Sequence, residues 1–150
     1  MSVLASIRPD SWNLPLLVHV LGAMVLTGAT VAFVVAQLTA GRAPEPARMR
    51  RFAFRTLLVA VLPAYIVMRV GAQWIYSKEF TGSGDGDPSW VGVGFGMGDL
   101  GLVLIVVALI LAGVASRRSM TGLARASGVI GAICLVGWLV AIWAMGAKPT

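Results

Sequence analysis

Three ionisable side chains lie inside long apolar stretches of this sequence: His19, Arg69 and Asp99. An imidazole in such a position can bind a metal ion or haem iron, and an arginine can form an ion pair or bind an anion. A charge surrounded by hydrocarbon is costly, so each of these side chains needs a partner in the protein or in water. These three residues are therefore the first candidates for a functional site.

The arginine belongs to a polar stripe in the segment 62–76, LPAYIVMRVGAQWIY. On a helix that turns by about 100° per residue, the polar side chains lie within roughly 40° either side of one direction. They are Tyr65, Arg69, Gln73 and Tyr76. A polar stripe on an apolar membrane helix is expected to face protein or water, and not lipid.

The three ionisable residues share one layer of the predicted membrane domain. At a rise of ~1.5 Å per residue, Arg69 lies about 10 Å, Asp99 at most about 13 Å and His19 about 8 Å from the same membrane surface. Because the spans of Arg69 and Asp99 are consecutive, we predict an ion pair between them. Three interpretations remain open: a clamp that fixes helix register, the lining of a site open to the outside, or an Arg69 that extends to the membrane surface.

His19 is the only histidine in the chain. Haem or copper bound at His19 would need a second ligand, which a methionine or a second subunit could supply, although methionines in apolar spans usually pack. The simpler interpretation is a hydrogen-bonded core histidine. We predict no cofactor, with haem or copper at His19 as the alternative.

Motifs for catalysis are missing from the sequence. It contains no HExxH motif, paired carboxylates or Ser–His–Asp set, so an enzyme is the least favoured class. The G-x-G-x-x-G pattern at 96–101 follows no strand, which argues against a dinucleotide site. The segment 91–98 is either helical or re-entrant.

Composition indicates the environment of the chain. Of 150 residues, 58% are hydrophobic and only 12% are charged, about half the charged fraction of a soluble domain. The apolar residues form four long blocks, which predict one all-α domain, a four-helix transmembrane bundle of antiparallel up-down hairpins. The predicted spans are 14–40, 52–76, 91–116 and 126–145. Pro63 is expected to kink the second span, and a polar connection is expected at 77–89.

Small residues recur at intervals of four in three spans and predict close helix packing. The candidates are Gly28, Ala32 and Ala36 in the first span, Gly94 and Gly98 in the third, and Gly128 and Ala132 in the fourth. Trp138 and Trp143 stand toward the end of the fourth span, where tryptophan rings favour the membrane surface.

Arginine placement predicts the orientation. The loops 41–51 and 116–125 with their flanks hold eight arginines against one glutamate. The positive-inside rule therefore places both loops in the cytoplasm and both termini outside, in a bacterial inner membrane. The same placement accounts for most of the net charge of +6, so nucleic acid is not a predicted partner.

The residues around His19, LLVHVLGAMVLTGA, resemble the first span of small bacterial integral membrane proteins related to the copper-resistance CopD type. Within that resemblance, His19 is the one residue that carries over as a candidate metal ligand. The short spans with basic turns are similar in outline to small members of that group, whose function is largely unknown.

We favour a non-enzymatic subunit or accessory factor held together by small-residue interfaces and the Arg69–Asp99 pair. Its predicted partners are the lipid bilayer and a second copy or another membrane protein. The alternatives are a haem, copper or redox-associated module that uses His19, and a small transporter in which Arg69 meets an anionic solute.

Overall fold

A computed structural model describes residues 13–79 and 89–147, and the described residues contain helices and no strand. The helices are α1 (Asn13–Thr39), α2 (Pro46–Thr56), α3 (Leu62–Glu79), α4 (Ser89–Arg118) and α5 (Thr121–Ala147). A 3₁₀ turn, Ala40–Arg42, extends α1, and a π-helical turn, Leu57–Val61, joins α2 to α3. Four helical runs are long and apolar enough to cross a membrane: Asn13–Arg42, Pro46–Lys78, Ser89–Arg118 and Thr121–Ala147. The all-α prediction and the prediction of a multi-pass membrane protein are confirmed at this level.

Both basic connections are shorter than predicted. The chain reverses over residues 43–45, because Pro46 begins α2 at a position where a helix needs no backbone donor. It reverses again over residues 119–120, where Ser119 adopts the left-handed conformation with φ of 54°. The segment 91–98 is helical, since α4 begins at Ser89, and the re-entrant alternative is therefore wrong. The predicted connection at 77–89 falls largely on residues 80–88, outside the described residues.

The expected kink at Pro63 takes the form of the π-helical turn. Proline has no N–H, and in a regular α-helix its ring collides with the carbonyl four residues earlier, here that of Val59. The turn before it is wider than an α-turn, and the Leu62 amide donates to the Leu57 carbonyl five residues back. The second span thus continues past Pro63 without ending.

The helices pack around α1 and α5. The most extensive contacts join α4 to α5 and α1 to α3, and α1 also packs along α5. This gives the order α3, α1, α5, α4 around the bundle, with α2 closing the space between α1 and α4 at one end. We call that end, with residues 40–46 and 118–121, the connection end, and the other the terminal end. At the terminal end α3 and α4 stand apart, and side chains bridge them.

The helix seams repeat every three or four residues, as in left-handed helix pairs. In α4 the buried residues are Val91, Gly94, Gly98, Gly101, Ile105, Ala108, Ala112 and Ala115. Most of these are small, so the backbones of α4 and α5 approach closely. Large apolar side chains such as Met24, Val59, Val103 and Ile133 point outward, where lipid replaces the water of a soluble protein.

One part of the small-residue prediction is wrong within this bundle. Gly28 and Ala32 are exposed, and a Cβ atom on Gly28 would meet nothing within 4 Å. Residues spaced four positions apart drift around the helix axis by about 40° per step. A ladder of small residues at that spacing therefore moves away from a helix seam, in which residues repeat every 3.5 positions on average. Only its last member, Ala36, lies in the α1 seam.

The other predicted packing glycines lie in the bundle. Gly94 packs against Met145, and Gly128 packs against Gln37 and Leu38. Gly98 is buried and Ala132 is half-buried. Trp138 is only 5% exposed, because Gly101 leaves room for its indole ring. Trp143 is exposed.

Candidate functional site

The ionic bridge between α3 and α4 is the central feature of the terminal end. Arg69 lies ten residues before the end of α3, and Asp99 lies ten residues after the start of α4. Both residues are therefore about 15 Å from the helix ends at the terminal end of the bundle. Arg69 Nη2 donates to Asp99 Oδ1 across 2.7 Å. The structure thus brings together the two charges that the sequence placed in one layer.

Aromatic rings hold the arginine in place. The guanidinium carbon of Arg69 lies 4.5 Å from the centre of the Phe95 ring, within range of a cation–π interaction. Tyr76 packs edge-on against the same ring, with 5.4 Å between ring centres. The guanidinium also passes close to the α4 backbone, since a Cβ atom on Gly98 would lie in ordinary contact with Arg69 Nη1, at 3.5 Å. Phe95 was not predicted, although it stands four residues before Asp99 and therefore on the same face of α4.

The ion pair lies on the outside of the bundle. The side chain of Arg69 is 29% exposed and that of Asp99 is 66% exposed. A helix as long as α4 spans about 45 Å, while membrane hydrocarbon is ~30 Å thick, so a centred bundle places the pair roughly 7 Å inside the hydrocarbon. The carboxylate of Asp99 therefore contacts the environment of the bundle at that depth, and not another part of its core.

His19 lies in a different seam, between α1 and α3. Its Nδ1 is 3.0 Å from the Met68 carbonyl oxygen. Because a carbonyl can only accept, Nδ1 carries a hydrogen, and in the neutral imidazole Nε2 then holds the lone pair. Two glycines bring the helices together here: Gly22 faces the Met68 backbone and Gly71 faces the His19 backbone. Neither glycine was predicted as a packing residue.

The predicted polar cluster is divided between these two seams. Tyr65 is buried and lies within electrostatic range of Arg69 and Asp99. Gln73 is exposed and does not join them. In the described part of the chain, no hydrogen bond or ion pair joins His19 to Arg69 or Asp99. The charged bridge and the histidine are therefore separate features.

A second polar group, missed from the sequence, is buried at the connection end. Gln37 Nε2 donates to Ser127 Oγ across 2.9 Å, and Ser127 donates in turn to the Ala124 carbonyl. Arg50, only 6% exposed, reaches Thr121 Oγ1 across 3.4 Å. These bonds tie α1 and α2 to the first turns of α5. The sequence places Arg50 in the predicted cytoplasmic loop 41–51.

Metal ligands are sparse in the described segments. No three His, Cys, Asp or Glu side chains there come together in a group that could hold a metal ion. Cys134 is buried, with Sγ 3.7 Å from the Gly101 carbonyl oxygen. His19 therefore does not belong to a group of three such side chains among the described residues.

Comparison with known proteins adds no assignment: no family model, no curated protein and no solved structure matches the chain.

Proposed function

We propose that the chain is a non-enzymatic subunit or accessory factor of a membrane complex, and that it binds a membrane-embedded partner through the α3–α4 face. This face is defined by Arg69, Phe95, Asp99 and Val103. The observation that carries the proposal is the exposure of an ion pair on the exterior of an apolar bundle. The accompanying orientation is the one given by the arginines, with both connections in the cytoplasm of a bacterium and both termini outside.

The physical argument rests on the unused hydrogen-bonding capacity of Asp99. An ionised carboxylate accepts through two oxygens, and Oδ2 of Asp99 has no donor among the described residues. In hydrocarbon, such a group is costly. A polar side chain from a neighbouring transmembrane helix would supply the missing donor and exclude lipid from the pair. Phe95 and the exposed Val103 provide apolar surface on either side of the carboxylate.

The alternative of haem or copper binding at His19, which the resemblance to CopD-type proteins implies, has one observation in its favour. In the neutral imidazole, the Nδ1–H bond to Met68 leaves the lone pair on Nε2, which is a tautomer that metal-binding histidines use. Further ligands would be methionines or would come from a second subunit. Anion transport at Arg69 is less favoured, because Asp99 already neutralises the guanidinium.

The test places a photo-crosslinking residue at Val103, with Val136 of α5 as the matched control. Both side chains are exposed at positions inside long apolar helices, but only Val103 lies beside Asp99. In native membranes, irradiation should give a discrete protein adduct from Val103 and none from Val136. The adduct should be lost when Asp99 is changed to Asn. A second copy as partner would give an adduct of twice 15.7 kDa. Crosslinks to lipid alone at Val103, or the same adduct from Val136, would contradict the proposal.

A further inference from the structure

A groove runs between α2 and α4 at the connection end, at the opposite end from the ion pair. Its volume is about 340 Å³. Its walls are Phe54, Leu109, Ile110, Gly113 and Val114, and its rim carries Arg117 and Arg118. Gly113 sets its shape, because a Cβ atom there would lie 3.2 Å from the Phe54 ring.

The groove is charged at its outer end and becomes apolar toward the interior of the membrane. The two arginines form the last turn of α4, where the helix reaches the membrane surface. Leu109 lies nine residues before Arg118 and therefore about 13 Å deeper. In a centred bundle, Arg118 therefore stands about 7 Å outside the hydrocarbon and Leu109 about 6 Å inside it. The groove is thus cationic at the headgroup level and apolar where the acyl chains begin.

No carboxylate of the described residues neutralises the charges at the rim. Glu45, the one described carboxylate at the connection end, is paired with Arg48 across 3.7 Å. Within the described residues, no carboxylate pairs with Arg117 or Arg118, and both are exposed. Two adjacent guanidinium groups with free N–H donors suit a phosphate, whose oxygens accept from both.

We propose that this groove binds one anionic phospholipid, with its phosphate at Arg117 and Arg118 and one acyl chain along Phe54 and Ile110. The charge complementarity selects an anionic headgroup over a zwitterionic one. The apolar walls of the groove distinguish a lipid from a free phosphate ion, because they bind only a ligand that carries an acyl chain.

The test is native mass spectrometry of the purified full chain in detergent, titrated with phosphatidylglycerol or with phosphatidylcholine of the same acyl chains. One phosphatidylglycerol per chain should bind preferentially. The double variant Arg117→Gln/Arg118→Gln should weaken that binding by about tenfold. The matched control is Arg42→Gln/Arg125→Gln, which removes two exposed charges at the same end but outside the groove. It should keep the wild-type affinity.

A second variant tests the apolar walls of the groove. Ile110 is 60% exposed, so Ile110→Trp should leave the fold intact while its indole ring covers the groove. This variant should lose the preferred phospholipid although both arginines remain. Excess inorganic phosphate should not displace the lipid from the wild type. Equal losses in the two double variants, unchanged binding to Ile110→Trp, or displacement by phosphate would each overturn the proposal.

Discussion

Gly71 lies directly against the backbone of His19. A Cβ atom on Gly71 would stand 2.6 Å from the His19 nitrogen and 2.7 Å from its Cα. The relationship is reciprocal, since Gly22, three residues after His19, meets Met68, three residues before Gly71, at the same distance. α1 and α3 therefore touch backbone to backbone, and this approach places the His19 ring within reach of the Met68 carbonyl.

Gly71→Ala should destabilise the bundle, because the added methyl group meets backbone atoms that cannot move independently of their helix. Overpacking of this kind typically costs about 1–3 kcal/mol. Thermal melting in detergent measures the effect. Gly28→Ala is the matched control, since a Cβ atom there meets open space, and it should leave the melting temperature unchanged or raise it slightly. Equal melting of both variants would show that the helices do not approach as described.

Arg69→Ala and Asp99→Ala should each lower the melting temperature, because each leaves a charge inside the membrane without its partner. The double variant should recover part of the loss, with a coupling energy of about 0.5–3 kcal/mol. The exchange Arg69→Asp/Asp99→Arg should recover less, because the two side chains differ in length and the guanidinium would leave its present position over the Phe95 ring. Strict additivity of the two single losses would refute the pair.

His19→Ala should lower stability by about 1 kcal/mol, the usual net value of one hydrogen bond, as it leaves the Met68 carbonyl without the imidazole. The purified wild-type protein should show no Soret band and no bound copper in absorption and elemental measurements. A Soret band or bound copper that disappears in His19→Ala would instead establish the metal-associated alternative.

Orientation can be measured by labelling single cysteines introduced into a Cys134→Ala variant. With the arginine-rich connections in the cytoplasm, a cysteine at Ser119 should react only from the inside. A cysteine at Ser83, in the sequence between α3 and α4, should react from the outside. The opposite pattern at both positions would reverse the predicted topology.

The sequence predicted the helices well because length and continuous hydrophobicity mark a membrane span regardless of its neighbours. It also predicted the partnership of Arg69 and Asp99, since two opposite charges at one depth have few other partners. The charge of a residue, and its depth in the membrane, both follow from its own position in the sequence.

The helix faces were harder to predict. In a soluble protein, polar residues mark the outward face, but here Gly28 and Ala32 outside resemble Gly22 and Ala36 inside in size and polarity. Only contact between two helices distinguishes them, and that depends on residues distant in sequence. For the same reason the sequence did not predict the burial of Trp138, which depends on the space left by Gly101 of α4.

The π-helical turn at Leu57–Val61 gives the second span one residue more than an uninterrupted α-helix of the same rise would need. This additional residue sets the phase between α2 and α3. Deletion of Val59, an outward-facing residue of that turn, would rotate α3 by about 100° relative to α2 and bring the Pro63 ring against a backbone carbonyl. Gly71 would then leave α1 and Arg69 would leave α4 together. The His19 seam and the ion pair therefore both depend on the number of residues between Arg50 and Arg69.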